Sequence, residues 1–454
     1  MNRRQFTGIL GASALAGALG GASADGGETV RRPNVVLIMT DDQGWGDIHS
    51  HGCDVLDTPV LDSLADQGAR FERFYVCPVC APTRASLLTG RYNLRCGTSW
   101  VTHRREVMRA DEITFGEAFR RAGYRTGCFG KWHNGAHYPM DPLGQGFEEF
   151  LGFCAGHWNN YFDTTLQRGH EMVPTQGYIT DVLTDGAIEF IRRNADQPFV
   201  CYVPYNAPHT PFQVPDRYFD KYTQRGLEPD LATIYGMVEN IDDNVGRILA
   251  ALDRLDLAED TIVIFTTDNG PNTERYNGGM RGRKGSVHEG GVRVPCFLRW
   301  TGRVPAGHVV EPLTAHIDLL PTLGELCQIP VIDNGRLDGV SLVPLLAGAD
   351  SEWLDRRLFT HQSRRGEVEA DLGSVRTERY RWSIEGDRKE LHDMVADPAE
   401  ETNIIDDEPE VAAELEAAYR AWFEDVTAAG TEPPPIPVGC PEAPEVEMAA
   451  PDAE

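Results

Sequence analysis

Four apolar runs along the chain share one shape, an almost unbroken hydrophobic stretch that stops at a cluster of polar residues. "NVVLIMTDDQGWGD" runs from Asn34 into Asp41 and Asp42, and "YRTGCFGKWHNG" ends in Lys131 and His133. "PFVCYVPYNAPHTPF" ends in His209, and "DTIVIFTTDNGPN" ends in Asp268 and Asn269. Continuous runs, as opposed to alternating ones, read as strands buried on both faces of a parallel sheet. Helical spacing of apolar residues recurs between them, over residues 114–122 and 231–255. Strand alternating with helix predicts an α/β fold, a large and mostly parallel sheet sandwiched by helices. Such sheets bind ligands beyond the carboxyl ends of their strands. The four polar clusters therefore predict one site on one edge of one domain.

The pattern changes after Leu346. "GSVRTERYRWSIEGDRKELHDM" reads as short amphipathic strands turning at Glu385-Gly386-Asp387, and "EPEVAAELEAAYRAWFEDV" as a closing helix. Residues 25–350 are thus assigned to a catalytic domain and 351–430 to a small C-terminal α+β subdomain. Residues 431–454 hold seven prolines and six acids with no base, and are expected to be a disordered tail. Residues 1–24 read as a signal peptide. An Arg3-Arg4 pair precedes an uncharged Ala/Gly-rich run, and Ala22-Ser23-Ala24 offers a small-residue cleavage site. The run is too short and glycine-rich for a membrane span. It resembles a twin-arginine export signal, with Arg3, Arg4 and Phe6 in place and Asn2 and Thr7 departing from the commonest form. An ordinary secretory signal would also export the chain. Periplasmic or extracellular residence is expected, with no membrane insertion of the mature form.

Charge sharpens this picture. The formal net charge of −28 becomes −30 once the two leader arginines are removed. That argues against nucleic acid and anionic membranes as partners, and an anionic substrate would need a locally basic site. Ten cysteines are too few for a disulfide framework.

Asp41, Asp42, Asp268 and Asn269 offer only oxygen ligands, which suit Ca²⁺ or Mg²⁺ better than zinc. Either pair alone also reads as turn residues or helix N-caps. "GKWHNG" sets Lys131 and His133 two residues apart, so an extended segment would turn both the same way. "NAPHTPF" holds His209 between prolines, and "RGRKGSVHEGG" offers Lys284 among glycines. Together these would form a cationic pocket, the local inversion of sign that an anionic substrate requires.

The spaced motifs now identify a family. "CAPTRASLLTGRY", with "TDDQGWGD", "GKWHNG", "APHTPF", "TTDNG", "KGSVHEGGVRVP" and "RTERYRW…ELHDMVADPAEETN", resembles the type I sulfatases. These form the formylglycine-dependent branch of the alkaline phosphatase superfamily. Thr83 departs from the commonest signature, which has serine, but keeps the hydroxyl. The resemblance implies an alkaline phosphatase-like fold and a sulfuric ester hydrolase. It implies that a formylglycine-generating maturation enzyme oxidises Cys80, with Pro82 and Arg84 as its recognition tail. The hydrated aldehyde would attack sulfur through one hydroxyl and expel sulfate from the covalent sulfo-enzyme through the other. The resemblance further implies one Ca²⁺ per chain on Asp41, Asp42, Asp268 and Asn269 beside the modified Cys80, and Arg84 holding the diol and the metal carboxylates. Lys131 and Lys284 would bind sulfate, His209 would protonate the leaving oxygen, and His133 would assist sulfate release.

Three rivals stand beside this reading. One is a phosphohydrolase of the same superfamily, either a two-zinc enzyme or a formylglycine-dependent phosphonate or phosphodiester hydrolase. Another is a catalytically inactive glycan-binding homologue, and the third makes Cys77 and Cys80 a redox or disulfide pair. For the substrate, "GFCAGHWNNYFD" offers His157, Trp158 and Asn159 as residues able to stack on and hydrogen-bond a sugar, although ordinary packing accounts for them equally well. Export and this loop point to a sulfated polysaccharide or oligosaccharide, with galactose-based sugars as the first candidates.

Overall fold

A computed structural model describes residues 32–330, 337–349, 353–364, 367–440 and 443–448. The leader at 1–24 lies outside the described residues. The central element is a ten-stranded sheet. From one edge its order is His308–Val310, Ala69–Phe71, Cys296–Arg299, Thr261–Thr267, Asn34–Thr40, Phe199–Pro204, Arg125–Lys131, Glu149–Phe153, Thr165–Arg168 and Glu171–Pro174. The five strands from Thr261–Thr267 to Glu149–Phe153 are parallel, and antiparallel pairings flank them on both sides.

Every residue of Asn34–Thr40, Phe199–Pro204 and Thr261–Thr267 is buried. Alternate side chains enter different cores because a strand has period two. Val35, Leu37 and Met39 pack with Leu87, Phe115, Phe119 and Leu323, while Val36 and Ile38 pack with Leu61, Leu183, Met237 and Ile241 on the opposite face. The apolar runs lack alternation because helices cover both faces. The predicted helices are present as Phe115–Arg121 and Pro229–Arg254. The first starts at Thr114, whose hydroxyl accepts from the Glu117 N–H while Glu117 reaches back, a capping box.

Beyond residue 350 an antiparallel sheet of Leu358–His361, Leu372–Arg376, Tyr380–Glu385 and Arg388–Asp393 carries the helix Pro409–Thr427. Among the described residues, the apolar side chains of this subdomain cluster with those of the larger part. Val375, Trp382, Leu415 and Tyr419 share one apolar cluster with Tyr75, Leu94, Val292 and Ile317 of the larger part. The expectation of a disordered tail at 431–454 is corrected in part. Ile436–Cys440 and Ala443–Met448 pair as antiparallel strands, and Ile436 is buried with Val107 and Met140. An apolar residue in a proline-rich segment found a partner that composition does not reveal.

A buried ion network joins the two parts. Glu289 accepts from Arg381 at 2.5 Å, from Tyr75 at 2.8 Å and from Arg376 at 3.2 Å, and all four residues are nearly fully buried. Burial alone would raise the Glu289 carboxyl, but Arg381, Arg376 and Arg293 override it and hold it at about 2, below the ordinary 4.5. The stability this carboxylate lends is therefore complete above about pH 4.5 and is lost as pH falls toward 2. Glu289→Ala is expected to cost about 3–5 kcal/mol, because it strands buried guanidinium groups. Urea unfolding should show that loss at pH 7 and a weaker acid dependence below pH 4.5 than the parent.

Candidate active site

The site is assembled by strand register. Thr40 pairs with Thr267 across parallel strands, so Asp41 and Asp42 leave the sheet beside Asp268 and Asn269. The next strands on the other side are Phe199–Pro204, which leads to His209, and Arg125–Lys131, which leads to His133. Gly130 lets this edge close up, since a Cβ there would stand 1.9 Å from the Pro204 carbonyl oxygen.

Cys80 opens the helix Cys80–Thr89, all ten residues of which are buried. Thr83 shapes its entry. The Cys77 N–H donates to Thr83 Oγ1 at 3.0 Å, and that hydroxyl faces the carbonyls of Cys77 and Val79, each at 3.2 Å. One turn after Cys80, Arg84 donates through Nε and Nη2 to Asp268 Oδ2 at 3.0 and 2.7 Å, and through Nη1 to the Lys131 carbonyl at 2.9 Å. Cys80 Sγ and one oxygen each from Asp41 and Asp268 lie within 4.8 Å of one another.

Three cations answer the three carboxylates. Lys131 Nζ meets Asp41 Oδ2 at 2.6 Å, Lys284 Nζ meets Asp42 Oδ1 at 2.5 Å, and Arg84 holds Asp268. Burial works against ionisation of Asp41, but Lys131, His209, Arg84 and Lys284 together hold its carboxyl far below the usual range. Asp268 is pushed up by burial and by the Asp41 charge. Burial also pushes the Cys80 thiol up, with Lys131 and Lys284 opposing it. An unmodified thiol here stays protonated and is a poor nucleophile at neutral pH.

The two histidines differ in ways that sequence does not show. His133 is 2% exposed, and its Nε2 donates to the Val101 carbonyl at 2.9 Å, which leaves a buried lone pair on Nδ1 without a hydrogen-bond partner. Burial and Lys131 hold it well below the ordinary imidazole range, so it is neutral. Gly156 makes room for the ring, because a Cβ would come within 2.4 Å of Nε2. His209 sits at the rim, partly exposed. Its Nδ1 donates to the Thr210 carbonyl at 2.7 Å, and Nε2 faces Asp42 Oδ2 at 3.7 Å.

The structure thus brings together Asp41, Asp42, Cys80, Arg84, Lys131, His209, Asp268, Asn269 and Lys284, with His133 behind Lys131. The substrate-loop residues divide. His157 is exposed and lies parallel to His209, with centroids 6.5 Å apart. Trp158 is engaged in packing, its indole donating to Thr164 Oγ1 at 2.7 Å and its ring stacked on Phe153. The Asn159 side chain is exposed. Cys77 and Cys80 are both free thiols, and Cys77 Sγ contacts His316 Nε2 at 3.5 Å. One supporting pair escaped the sequence reading. Arg275, fully buried on Asp47 at 2.6 Å, also donates to the Asp42 carbonyl at 2.8 Å. Asp47 lies within "TDDQGWGD", but no spacing connects it to Arg275.

The comparisons with known proteins agree with this geometry. A family model described as Sulfatase matches residues 33–329. The chain belongs to the sulfatase family. A second model, for the C-terminal part of N-sulphoglucosamine sulphohydrolase, matches residues 283–424 and so spans the boundary expected at 350. N-acetylgalactosamine-6-sulfatase of Canis lupus familiaris is 33% identical over 389 residues, 77% of this chain and 72% of that protein. Human arylsulfatase A is 33% identical over 421 residues, 83% of this chain and 80% of that protein. The crystal structure of Ps i-CgsB in complex with k-i-k-neocarrahexaose superposes with a TM-score of 0.83 at 28% identity, covering 89% of this chain and 94% of that one. The protein is a sulfuric ester hydrolase with the alkaline phosphatase-like fold. Among the described residues, no helix is long and apolar enough to cross a membrane.

The donor set fits a divalent cation. Asp41 Oδ1, Asp42 Oδ2 and Asn269 Oδ1 are buried and accept no hydrogen bond, an expense that a hard cation would relieve. Chelator-treated protein should therefore melt at a lower temperature than protein resupplied with divalent cation. At a hundredfold excess over Kd the ion should stabilise by about 2.7 kcal/mol. Calorimetry should show no such rise for Asp42→Ala.

Proposed function

We propose that the protein is an exported sulfatase of sulfated carbohydrates, galactose-based polysaccharides or oligosaccharides above all, with Cys80 matured to formylglycine and one Ca²⁺ on Asp41, Asp42, Asp268 and Asn269. The observation that carries this reading is the surrounding of Cys80 by Arg84, Lys131 and Lys284 in a chain of net charge −28. The three cations balance the three carboxylates, so a divalent ion bound among them would make the cluster net positive toward sulfate, and the ion pairs hold Lys131, Lys284 and Arg84 in place. The sugar class rests on the N-acetylgalactosamine-6-sulfatase relative and on the carbohydrate in the Ps i-CgsB complex. The export route rests on Arg3, Arg4 and the small-residue run to Ala24.

The cation supplies charge neutralisation for sulfate oxygens. The matured Cys80 supplies a hydroxyl nucleophile that can be regenerated without hydrolysing a sulfate ester. The protein's own groups do the rest. Arg84 fixes Asp268 and the end of the Lys131 strand with one planar fork, a geometry lysine could not reproduce. Lys131 and Lys284 take the sulfate oxygens. His209, at the rim, offers to the leaving oxygen the Nε2 that faces Asp42, and its Nδ1–H bond to Thr210 fixes the ring so that Nε2 is the atom that exchanges protons. His133, whose buried Nδ1 has no hydrogen-bond partner, is the base assigned to sulfate release. His157, parallel to His209, contacts the sugar.

Protein made with a maturation enzyme should carry an aldehyde at position 80, detected by peptide mass spectrometry and an aldehyde-reactive probe, with about one calcium and little zinc per chain. Fully active protein with a purely thiol Cys80 would exclude the mechanism, and two zinc ions would favour the phosphohydrolase.

The histidines should separate by leaving group. His209→Ala is expected to lose roughly 10²–10⁴ in rate on sulfated sugars and far less on nitrophenyl sulfate, whose phenolate leaves unaided. His133→Ala should slow both substrates and give a burst of alcohol release. Equal losses on both substrates for both variants would refute this division of roles.

A further inference from the structure

Beside the catalytic residues lies a cavity of about 460 Å³, within the range of small-molecule sites. Pro271, Glu274, Tyr276, Met280 and Arg283 line it. It belongs to the loop that delivers Lys284. The Lys284 N–H closes the neck of that loop on the Pro271 carbonyl at 3.0 Å, and Lys284 Nζ continues to Asp42. Arg275 also lines the cavity, and its buried side chain is held on Asp47 and donates to the Asp42 carbonyl. Cavity and ion cluster therefore share one rigid partition.

Tyr276 gives the cavity its character. The residue is 44% exposed, among the few large apolar residues so placed in the described part of the chain. It is nonetheless fixed, because its hydroxyl donates to the His51 carbonyl at 2.9 Å. The ring tip lies over Gly52, where φ is +96° and a Cβ would stand 2.6 Å from the tyrosine oxygen. Beneath it, His51 stacks on Trp45 with centroids 4.2 Å apart. An aromatic surface held at one end, open to solvent, with an exposed carboxylate at Glu274 and an exposed guanidinium at Arg283, can stack on a sugar ring and hydrogen-bond its hydroxyls. Trp158, the aromatic that the sequence suggested for this task, is already spent on Phe153 and Thr164.

We propose that this cavity is a second sugar subsite, which takes a neighbouring residue of an oligosaccharide on Tyr276 while the sulfated residue occupies the catalytic pocket. The proposal rests on the carbohydrate reading above and adds to it a preference for chains over single sugars. It also makes the Lys284 loop bifunctional, with one end on sulfate and the other on the glycan chain.

The test compares kcat/KM for a sulfated galactan hexasaccharide with that for a galactose monosulfate carrying the same ester. Tyr276→Ala should lower the hexasaccharide-to-monosaccharide ratio about threefold to tenfold, the usual value of an aromatic contact. Tyr276→Phe, which keeps the ring, should retain most of the ratio. Glu274→Trp, a replacement at an exposed position on the rim, should lower it by obstruction and serves if the alanine variant fails to fold. A ratio unchanged in Glu274→Trp and in folded Tyr276→Ala, with wild type active on the hexasaccharide, overturns the subsite alone. Wild-type protein that hydrolyses nitrophenyl sulfate and no sulfated sugar overturns the carbohydrate reading, and the subsite with it.

Discussion

Everything in this site depends on one pairing, the parallel register that sets Thr40 against Thr267. It brings Asp41, Asp42, Asp268 and Asn269 out of the sheet side by side with no exposure to water. Buried carboxylates this close repel one another and lose their hydration, so the fold must supply positive charge or fail. Arg84, Lys131 and Lys284 each arrive from a different part of the chain, on a helix, a strand end and a loop. The three side chains that neutralise the buried carboxylates are the same three proposed to receive the anion.

This bears on how so acidic a protein could receive an anion, because the three cations cancel the three carboxylates locally while the chain as a whole stays strongly negative. The excess negative charge is spread over the surface, whereas the pocket charges are fixed a few ångströms from the chemistry in a region of low dielectric. Close range outweighs the distant and screened field of the surface.

The C-terminal subdomain takes part in the same arrangement. Glu289 follows Lys284 by five residues and is gripped by Arg376 and Arg381 of the small sheet. Glu400 accepts from the Glu289 N–H at 2.8 Å and pairs with His288 at 2.5 Å. The loop that carries Lys284 is thus clamped from the far side by the subdomain. That is a physical reason for the two parts to share one core.

Local pattern determined a good deal. The four central strands, the helices near 114–122 and 231–255, the C-terminal antiparallel strands and the candidate oxygen ligands Asp41, Asp42, Asp268 and Asn269 were legible, because continuous apolar runs and oxygen-rich strand ends are properties of contiguous sequence, whereas Cys80 and Arg84 entered only through the family resemblance. The helix Cys80–Thr89 was not, since a helix buried on all sides leaves no amphipathic period to detect. Nor was the pairing of Asp47 with Arg275, residues 228 positions apart, or the packing of Ile436 on Val107. Trp158 and Tyr276 state the division most clearly. Sequence identifies both as aromatic, but whether a ring is consumed by neighbours or left open beside a cavity depends on what the rest of the chain places against it, and only the tertiary structure decides that.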